Sequence, residues 1–252
     1  MKNIIFIEGV SGVGKSTMVR KLVEKLCKSK IYIEGDPYSP LDLCWAAYLT
    51  IPMYEDLLIS YPLYAKEMSR NIIYKGEYIL LRYQIERTPL YSEELHNELH
   101  KREFCYNTTN KMPLEKFTEV FANLWKRFDD TQYDYAIFDA TLVSHMTNDL
   151  VRNYNASVDE LVNHMETLLQ IIKPFNPVIF YLSSENVRER VIKARINRGQ
   201  TPLTDKQIEF WEKRKKIDTA VLPKLSVKVQ IIDITNEDWD NALSQILTSG
   251  VI

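Results

Sequence analysis

The sequence predicts a three-layer α/β/α fold with a five-stranded parallel sheet. Two observations support this prediction: short apolar runs alternate with helical periodicity, and a glycine-rich loop joins the first run to the first helical segment. Strands of this kind pair in parallel through right-handed crossovers, so ligands are expected at their carboxyl ends. The predicted strands are Ile4–Ile7, Lys30–Glu34, Asp134–Asp139, Pro177–Leu182 and Val227–Ile234.

Helical periodicity fills the segments between these runs. An amphipathic pattern follows the glycine-rich loop, and the clearest helix runs from Val158 to Ile172. Another is predicted to start at Thr204, with Gln207 in the capping-box position, and the last near Asn236. These helices supply the crossovers that a parallel sheet requires.

Composition and charge narrow the functional classes. Of 252 residues, 45% are hydrophobic, which is enough for a full core. The 32 basic and 34 acidic residues give a net charge of -2, so neither nucleic acid nor membrane is an expected partner. The run Ile4–Ile7 is too short for a signal-peptide core or a membrane span, which predicts a cytoplasmic protein. Cys27, Cys44 and Cys105 lack metal-binding spacing and are expected to be reduced thiols.

The loop after the first strand fits the pattern GxxxxGKS from Gly9 to Ser16. The chain has only 7 glycines, and Gly9, Gly12 and Gly14 all lie in this loop, so a high glycine content does not explain the match. A strand before the loop and a helix after it form the context that this motif requires. The residues predicted to bind phosphates are Gly9, Ser11, Gly12, Val13, Gly14, Lys15, Ser16 and Thr17.

A triphosphate needs many donors at once, and this loop can supply them. Glycines lack a Cβ atom, so the backbone N–H groups of residues 12–16 can converge on the phosphates at a helix N-terminus. Lys15 is predicted to bridge the β- and γ-phosphates, and Ser16 to ligate Mg²⁺. The motif therefore predicts ATP and Mg²⁺ as cofactors, with GTP left open as the donor, and does not specify the reaction.

Two carboxylates follow the second strand. Glu34 and Asp36 flank Gly35 at a carboxyl strand end beside the predicted phosphate loop. One of them, with Asp36 preferred, is predicted to position the acceptor and take its proton. The alternative is a solvated turn, because Gly and Asp are common turn residues.

A third carboxylate, Asp139, ends the third strand. It follows four apolar or aromatic residues and is predicted to reach Mg²⁺ directly or through water, as the acid of a Walker B strand does. Ala140 comes next, so the chain lacks the adjacent acidic pair of dedicated ATP-hydrolysing machines. His145 is interpreted as a packing or helix-surface residue.

Arginines follow the fourth strand on a segment predicted to be a lid, about residues 188–203. Arg195 and Arg198 are predicted to close over the triphosphate, neutralise the transferring group and exclude water. Arg188 and Arg190 are expected instead to pair with Glu185 and Glu189 on a solvated helix face.

Between residues 41 and 130 the alternation of strands and helices stops. Mainly helical patterns interrupted by prolines predict a helical insertion within a single domain of residues 1–252. Ten of the 15 tyrosines lie between Tyr38 and Tyr106. They are expected either to line a site for an organic acceptor or to pack the helices.

The segment Phe6–Thr17 resembles the opening of thymidylate kinases and deoxynucleoside kinases of the P-loop NTPase superfamily, including Glu8 before the first glycine. The resemblance is specific over residues 3–17, loose at the other strand ends and absent from the insertion. In outline the chain is also similar to P-loop kinases that phosphorylate hydroxyls of antibiotics.

This resemblance implies roles for residues outside the loop. It implies an acceptor-handling acid at Glu34 or Asp36, a magnesium-supporting acid at Asp139, and an arginine-bearing lid at 188–198. Those kinases usually place an arginine directly after the third-strand acid, where this chain has Ala140. That departure argues against a nucleotide acceptor.

Together these features predict an ATP- and Mg²⁺-dependent kinase that transfers a γ-phosphoryl group to a small organic acceptor. The acceptor is left as nucleoside-like, nucleotide-like or a hydroxylated small molecule such as an antibiotic. The alternatives are a nucleotide-hydrolysing switch or regulatory ATPase without an acceptor, and a scaffold that binds nucleotide without chemistry. The oligomeric state stays open, with a homodimer as one alternative.

Overall fold

The computed structural model describes residues 3–36, 39, 41–85, 88–107, 112–129 and 132–250. The chain divides into two compact units. The first contains Met1–Glu34, Trp125–Val151 and Asn155–Ile252, and the second contains Gly35–Leu124 and Arg152–Tyr154. The second unit covers most of the segment predicted to be an insertion.

The described residues form strands, α-helices and short turns of 3₁₀ and π helix. The strands are β1 Asn3–Glu8, β2 Ser29–Tyr32, β3 Ala46–Thr50, β4 Ile72–Lys75, β5 Tyr78–Arg82, β6 Gln84–Ile85, β7 Thr88–Pro89, β8 Tyr135–Asp139, β9 Val178–Ser183 and β10 Lys228–Asp233. The α-helices are α1 Lys15–Val23, α2 Ile51–Ser60, α3 Ala65–Arg70, α4 Glu93–His100, α5 Leu114–Arg127, α6 Ser144–Asp149, α7 Val158–Ile172, α8 Val187–Asn197, α9 Asp205–Val221 and α10 Trp239–Leu247. Short 3₁₀ turns occur at Pro62–Tyr64, Lys173–Phe175 and Leu222–Lys224, and a π-helical turn at Leu150–Tyr154.

The first unit is built on a five-stranded parallel sheet in the order β10-β9-β1-β8-β2, so the predicted α/β fold is confirmed. From β1 the chain crosses to β2 and returns to β8, and from there it crosses to β9 and β10 on the other side. The strand order therefore reverses at β1, whose carboxyl end is the topological switch point where parallel sheets bind ligands. The predicted second strand ends two residues early, at Tyr32, so Glu34 lies in the turn beyond it.

Both faces of this sheet are buried, as the continuous apolar runs predict. Ile5 and Ile7 point to one face, where they join a core that includes α1 and α10. Phe6 points to the other face, where its ring stacks on Phe138 at 5.5 Å and meets the edge of Trp125 at 6.0 Å. Full burial of side chains of this size stabilises the fold by about 1.5–3 kcal/mol each.

Capping residues set the ends of the helices that surround the sheet. Helix α7 has the predicted bounds, and Ser157 and Glu160 form a capping box at its start. Helix α9 begins after Thr204, whose backbone N–H donates to Gln207 Oε1 at 2.9 Å, as the sequence predicts. Helix α10 begins at Trp239, later than predicted, because the Asp238 side chain caps it.

The second unit is a mixed unit: its helices, which include most of α5, are accompanied by strands that the predicted helical insertion did not include. It contains an antiparallel sheet in the order β3-β5-β4 and a short β6-β7 hairpin, as well as α2, α3 and α4. In the β4-β5 hairpin Lys75 pairs with Ile79, so the chain turns through residues 76–78, where Gly76 N donates to Tyr78 O at 3.0 Å. The runs rich in Ile, Leu and Tyr on either side of this glycine were evidence for strands that the proline spacing obscured.

Tyrosines of the second unit pack against one another. The Tyr78 ring stacks on Tyr74 at 4.5 Å and on Tyr48 at 5.0 Å, while Tyr83 and Tyr91 are buried among aliphatic residues. Tyr38 lies outside the described residues. Packing therefore accounts for these side chains without an acceptor.

None of the described helices combines the length and the apolar character needed to cross a membrane.

We expect Thr204→Ala to lower the free energy of unfolding by about 1 kcal/mol, because the first turn of α9 loses its cap. Thr219→Ala on the same helix is the matched control, since its hydroxyl bonds only Lys215 O within the helix. Urea unfolding measures both. Equal losses in the two variants would contradict the capping role.

Candidate functional site

The loop between β1 and α1 has a backbone that only glycine adopts readily. Gly12 and Gly14 have φ angles of 83° and 87°, in the left-handed region. A Cβ atom on Gly12 would lie 2.5 Å from Arg190 O, and one on Gly14 would overlap the Trp239 ring. The motif glycines are therefore required by the shape of this loop as well as by space for a ligand.

Lys15 and Ser16 open α1 directly after the loop. The Lys15 ammonium group donates to Val10 O at 3.1 Å across the loop, and its side chain is buried. The first turn of α1 contains no acidic residue, so its free N–H groups keep their positive potential. This arrangement is a ready-made anion site.

Asp139 faces Ser16 from the end of β8, which pairs directly with β1. Ser16 Oγ donates to Asp139 Oδ2 at 2.5 Å. Burial raises the pKa of Asp139, while Lys15 and the Ser16 hydrogen bond oppose this change. Asp139 Oδ1 is buried and has no hydrogen-bond partner among the described residues.

These oxygens fit Mg²⁺. Magnesium prefers hard oxygen ligands and usually takes one or two from protein, with water and substrate phosphates completing its shell. The Ser16 hydroxyl and the Asp139 carboxylate lie beside the phosphate loop, and Asp139 Oδ1 has no hydrogen-bond partner among the described residues, so this pair matches that requirement. No larger cluster of His, Cys, Asp and Glu able to hold a metal occurs in the described ranges.

A buried carboxylate, Glu8, fixes the start of the loop. Its oxygens accept hydrogen bonds from the backbone N–H groups of Leu142, Val143 and Ser144 at 2.7, 3.0 and 2.8 Å. Burial raises the pKa of Glu8, and these bonds, with one from the Ser144 hydroxyl, oppose the rise. Ser144 Oγ also lies 2.9 Å from Gly9 O, so the end of β1 and the start of α6 are held together.

Arg214 holds the same turn from the other side. Its guanidinium group on α9 is fully buried and donates to Val143 O at 3.1 Å and Ser144 O at 2.9 Å. It also contacts Asn148 on α6. Asp218 accepts from Arg214 Nε at 2.9 Å and from the Tyr181 hydroxyl at 2.8 Å. The loop is thereby tied to both α9 and the middle of the sheet.

The loop opens into a cavity of about 360 Å³ within the first unit. Its wall combines the phosphate loop, the turn after β2, helix α6 and the segments around α8, α9 and α10. The lining residues are Gly9, Ser11, Gly12, Gly14, Lys15, Ser16, Thr17, Glu34, Ser144, His145, Asn148, Arg190, Lys193, Ala194, Asn197, Arg198, Trp211, Arg214, Glu237 and Trp239.

Glu34 and His145 form a pair in this cavity. His145 Nε2 lies 3.1 Å from Glu34 Oε1, an ion-pair distance without the alignment of a good hydrogen bond. Burial alone would raise the pKa of Glu34, but His145, Lys15 and Arg198 together lower it to about 2. Glu34 is therefore a carboxylate at neutral pH. The sequence indicated a packing or helix-surface residue at position 145, and the structure places His145 on α6, where it faces Glu34 in the cavity.

Asp36, the preferred acid of the sequence analysis, belongs to the second unit. Its backbone carbonyl accepts from Ser39 N at 3.0 Å, and its side chain is absent from the cavity lining just given.

The arginines of the segment predicted to be a lid occupy different environments. Arg198 lines the cavity, whereas Arg195 bonds Thr201 O and Gln200 Oε1 within the segment itself. Arg188 is exposed, and its ion pairs are with Asp205 and Glu212 instead of the predicted Glu185 and Glu189. Arg190 is buried, which was not expected: it pairs with Glu237 at 3.0 Å and bonds the carbonyls of Ile234 and Thr235.

Several residues of the cavity were not predicted from the sequence. Arg214 lies in the charged run Glu212–Lys216, and Trp239 and Glu237 lie far along the chain in segments without a motif. The available signals were weak: a carboxylate before the first glycine at Glu8, and a histidine shortly after a strand end at His145.

The sheet order, the loop conformation and the Ser16–Asp139 contact together define a P-loop α/β fold.

Neither a protein-family model nor a curated protein matches the sequence. Two solved structures share similarity over most of their length. Thymidylate kinase from Candida albicans is 14% identical, with a TM-score of 0.44, over 97% of this chain and 89% of that chain. A gluconokinase from Sinorhizobium meliloti 1021 is 13% identical, with a TM-score of 0.37, over 99% and 95%. Likeness at this level transfers neither activity nor substrate.

We expect Arg214→Met to lower the free energy of unfolding by about 3–5 kcal/mol, because Asp218 would keep a buried charge without its partner. Adding Asp218→Asn should cost less than the sum of the two single changes. Arg188→Met, which removes an exposed arginine, is the matched control and should change little. Thermal and urea unfolding measure these effects; an unfolding curve for Arg214→Met that overlays the control would contradict the anchoring role.

Proposed function

We propose that the protein is a kinase that uses Mg²⁺ and ATP to phosphorylate a small organic acceptor. One observation carries the proposal: a phosphate loop with a Ser16–Asp139 oxygen pair and an ionised carboxylate, Glu34, line the same cavity. The first set of groups suits a triphosphate and its metal, and the carboxylate suits an acceptor that must lose a proton.

The donor would bind by its phosphates. Backbone N–H groups of the loop and of the first turn of α1 would donate hydrogen bonds to these phosphates, as such groups do in other phosphate loops. Lys15 would exchange its bond to Val10 O for the β- and γ-phosphates. Arg198, on the rim of the same cavity, would offset charge on the transferring group.

Ser16 and Asp139 would hold Mg²⁺, with the orphaned Asp139 Oδ1 as the free ligand. When bound, the ion supplies positive charge to the phosphate oxygens and fixes their orientation. For the protein to receive it, the Ser16–Asp139 hydrogen bond must loosen or rearrange, and Asp139 must be ionised.

Glu34 is the acceptor-side group in this proposal, because it lines the cavity. Its carboxylate would accept the proton of the acceptor as the acceptor's oxygen bonds to the γ-phosphorus. The bond from that phosphorus to the β–γ bridging oxygen breaks, and ADP leaves with the electron pair. A carboxylate whose pKa is about 2 is a weak base, so its main contribution is orientation, with proton transfer late in the step.

Acceptor-stimulated ADP release distinguishes this function from a nucleotide-hydrolysing switch. A kinase releases ADP in proportion to the phosphorylated product, whereas a switch releases ADP at a rate that does not depend on any small-molecule acceptor. We expect acceptor-dependent ADP release when the purified protein is assayed.

We expect Lys15→Ala to weaken Mg·ATP binding by on the order of 100-fold or more, because at least two charge-assisted hydrogen bonds to phosphate would be lost. Lys21→Ala on the exposed side of the same helix is the matched control. Isothermal titration with Mg·ATP measures affinity. Unchanged binding in Lys15→Ala would refute the nucleotide site.

We expect Asp139→Asn to lower turnover by roughly 100-fold and to raise the Mg²⁺ concentration needed for half-maximal rate, because an anionic oxygen ligand is replaced by a neutral amide. ATP binding measured without Mg²⁺ should stay close to that of the unmodified protein. Asp56→Asn, on the exposed face of α2, serves as control. A normal Mg²⁺ dependence in Asp139→Asn would contradict the metal assignment.

A further inference from the structure

His145 has no place in the donor site, yet it lies against the one carboxylate assigned to the acceptor. Its side chain retains 15% of its exposure, whereas that of Glu34 retains 51%. His145 sits on α6, whose first turn is fixed by Glu8 and Arg214. Glu34 sits in the turn after β2. The better-anchored partner of the pair is therefore the histidine.

Several of the positively charged side chains that line the cavity already form ion pairs with acidic residues of the protein. Arg190 and Lys193 both pair with Glu237, at 3.0 and 2.9 Å. Arg214 is committed to Asp218 and to backbone carbonyls. Of the positive side chains in the described lining, Lys15 and Arg198 are those that the triphosphate would use.

The distribution of positive charge in the cavity indicates which chemical group of the acceptor reacts. A phosphate acceptor carries up to two negative charges and would meet the Glu34 carboxylate, with the nearby cations already used by the donor or by other acids. A hydroxyl is neutral, donates a hydrogen bond to a carboxylate, and must lose its proton during transfer. The cavity therefore favours the neutral group.

We propose that the acceptor reacts through a hydroxyl group, not a phosphate, and that His145 is the positioning residue that aims Glu34 at this hydroxyl. The proposal rests on the kinase function above and narrows its substrate class. In the step it describes, the acceptor O–H bond breaks, its proton passes to Glu34, and its oxygen gains the γ-phosphoryl group as ADP departs.

Matched acceptors test the substrate class. Purified protein with Mg·ATP is given nucleosides and, in parallel, the 5′-monophosphates of the same nucleosides, together with hydroxylated sugars and aminoglycosides; ³¹P NMR identifies the product. We expect phosphate esters of hydroxyl acceptors, and a kcat/KM for each monophosphate that is lower by about 100-fold or more than for its nucleoside. Preferential phosphorylation of monophosphates would overturn the inference and leave the kinase function standing.

Variants test the positioning role of His145. The test needs no added acceptor, because water is the smallest hydroxyl acceptor and its reaction gives slow ADP release. We expect Glu34→Gln to lower this kcat by about 100-fold. His145→Leu should lower it by about 10- to 100-fold, with Mg·ATP affinity unchanged. His145→Gln, which keeps a donor near Glu34, should recover part of the loss. The Glu34→Gln/His145→Leu double variant should be no slower than Glu34→Gln alone.

Glu209→Gln, an exposed carboxamide substitution on α9, is the control for Glu34→Gln, and thermal unfolding confirms that each variant is folded. Normal ADP release in Glu34→Gln or in His145→Leu would overturn the inference, as would multiplicative losses in the double variant. If the unmodified protein releases no ADP with water or any acceptor, the proposed function fails and the inference with it.

Discussion

The Glu8 carboxylate, buried between the end of β1 and the start of α6, is the interaction on which the site depends. Three backbone N–H groups and one hydroxyl converge on it. A buried carboxylate without such donors would be strongly unfavourable, so the turn at 142–144 must keep the conformation that presents them. Because the same Ser144 hydroxyl reaches Gly9, this requirement also fixes where the phosphate loop begins.

Arg214 extends that constraint to the rest of the first unit. Its carbonyl partners are Val143 and Ser144, whose N–H groups bind Glu8, so opposite charges hold the two sides of the peptide group that joins these residues. The ion pair with Asp218, and the bond from Tyr181 to that carboxylate, carry the connection into α9 and β9. A helix that follows the lid segment is thereby linked by hydrogen bonds to the phosphate loop, while Arg198 on the lid side remains exposed beside the cavity.

The charges inside the cavity are arranged in pairs that leave a small number of groups for ligands. Glu237 satisfies Arg190 and Lys193, Asp218 satisfies Arg214, and Ser16 occupies one oxygen of Asp139. Under the proposed function, this pairing would let a cavity with many arginines and lysines discriminate among anions. A triphosphate would meet the loop and Lys15, whereas a second anion would meet Glu34.

Some of these features could be predicted from local sequence. The apolar runs gave the parallel strands, since strands buried on both faces need uninterrupted hydrophobic residues, and Thr204 with Gln207 gave a helix start that depends only on neighbouring residues. The glycine spacing gave the loop, because its backbone angles exclude other residues.

The antiparallel strands of the second unit were missed although Gly76 marks their turn, because prolines on either side suggested short helices. By itself, then, the sequence determined the sheet and the loop, and it predicted that Ser16 and Asp139 lie beside that loop; all of these follow from patterns a few residues long. Only the tertiary structure decided that His145 faces Glu34, that Arg195 turns away from the cavity and that Arg214 anchors it, because these contacts join residues up to 111 positions apart whose meeting depends on how the crossovers pack.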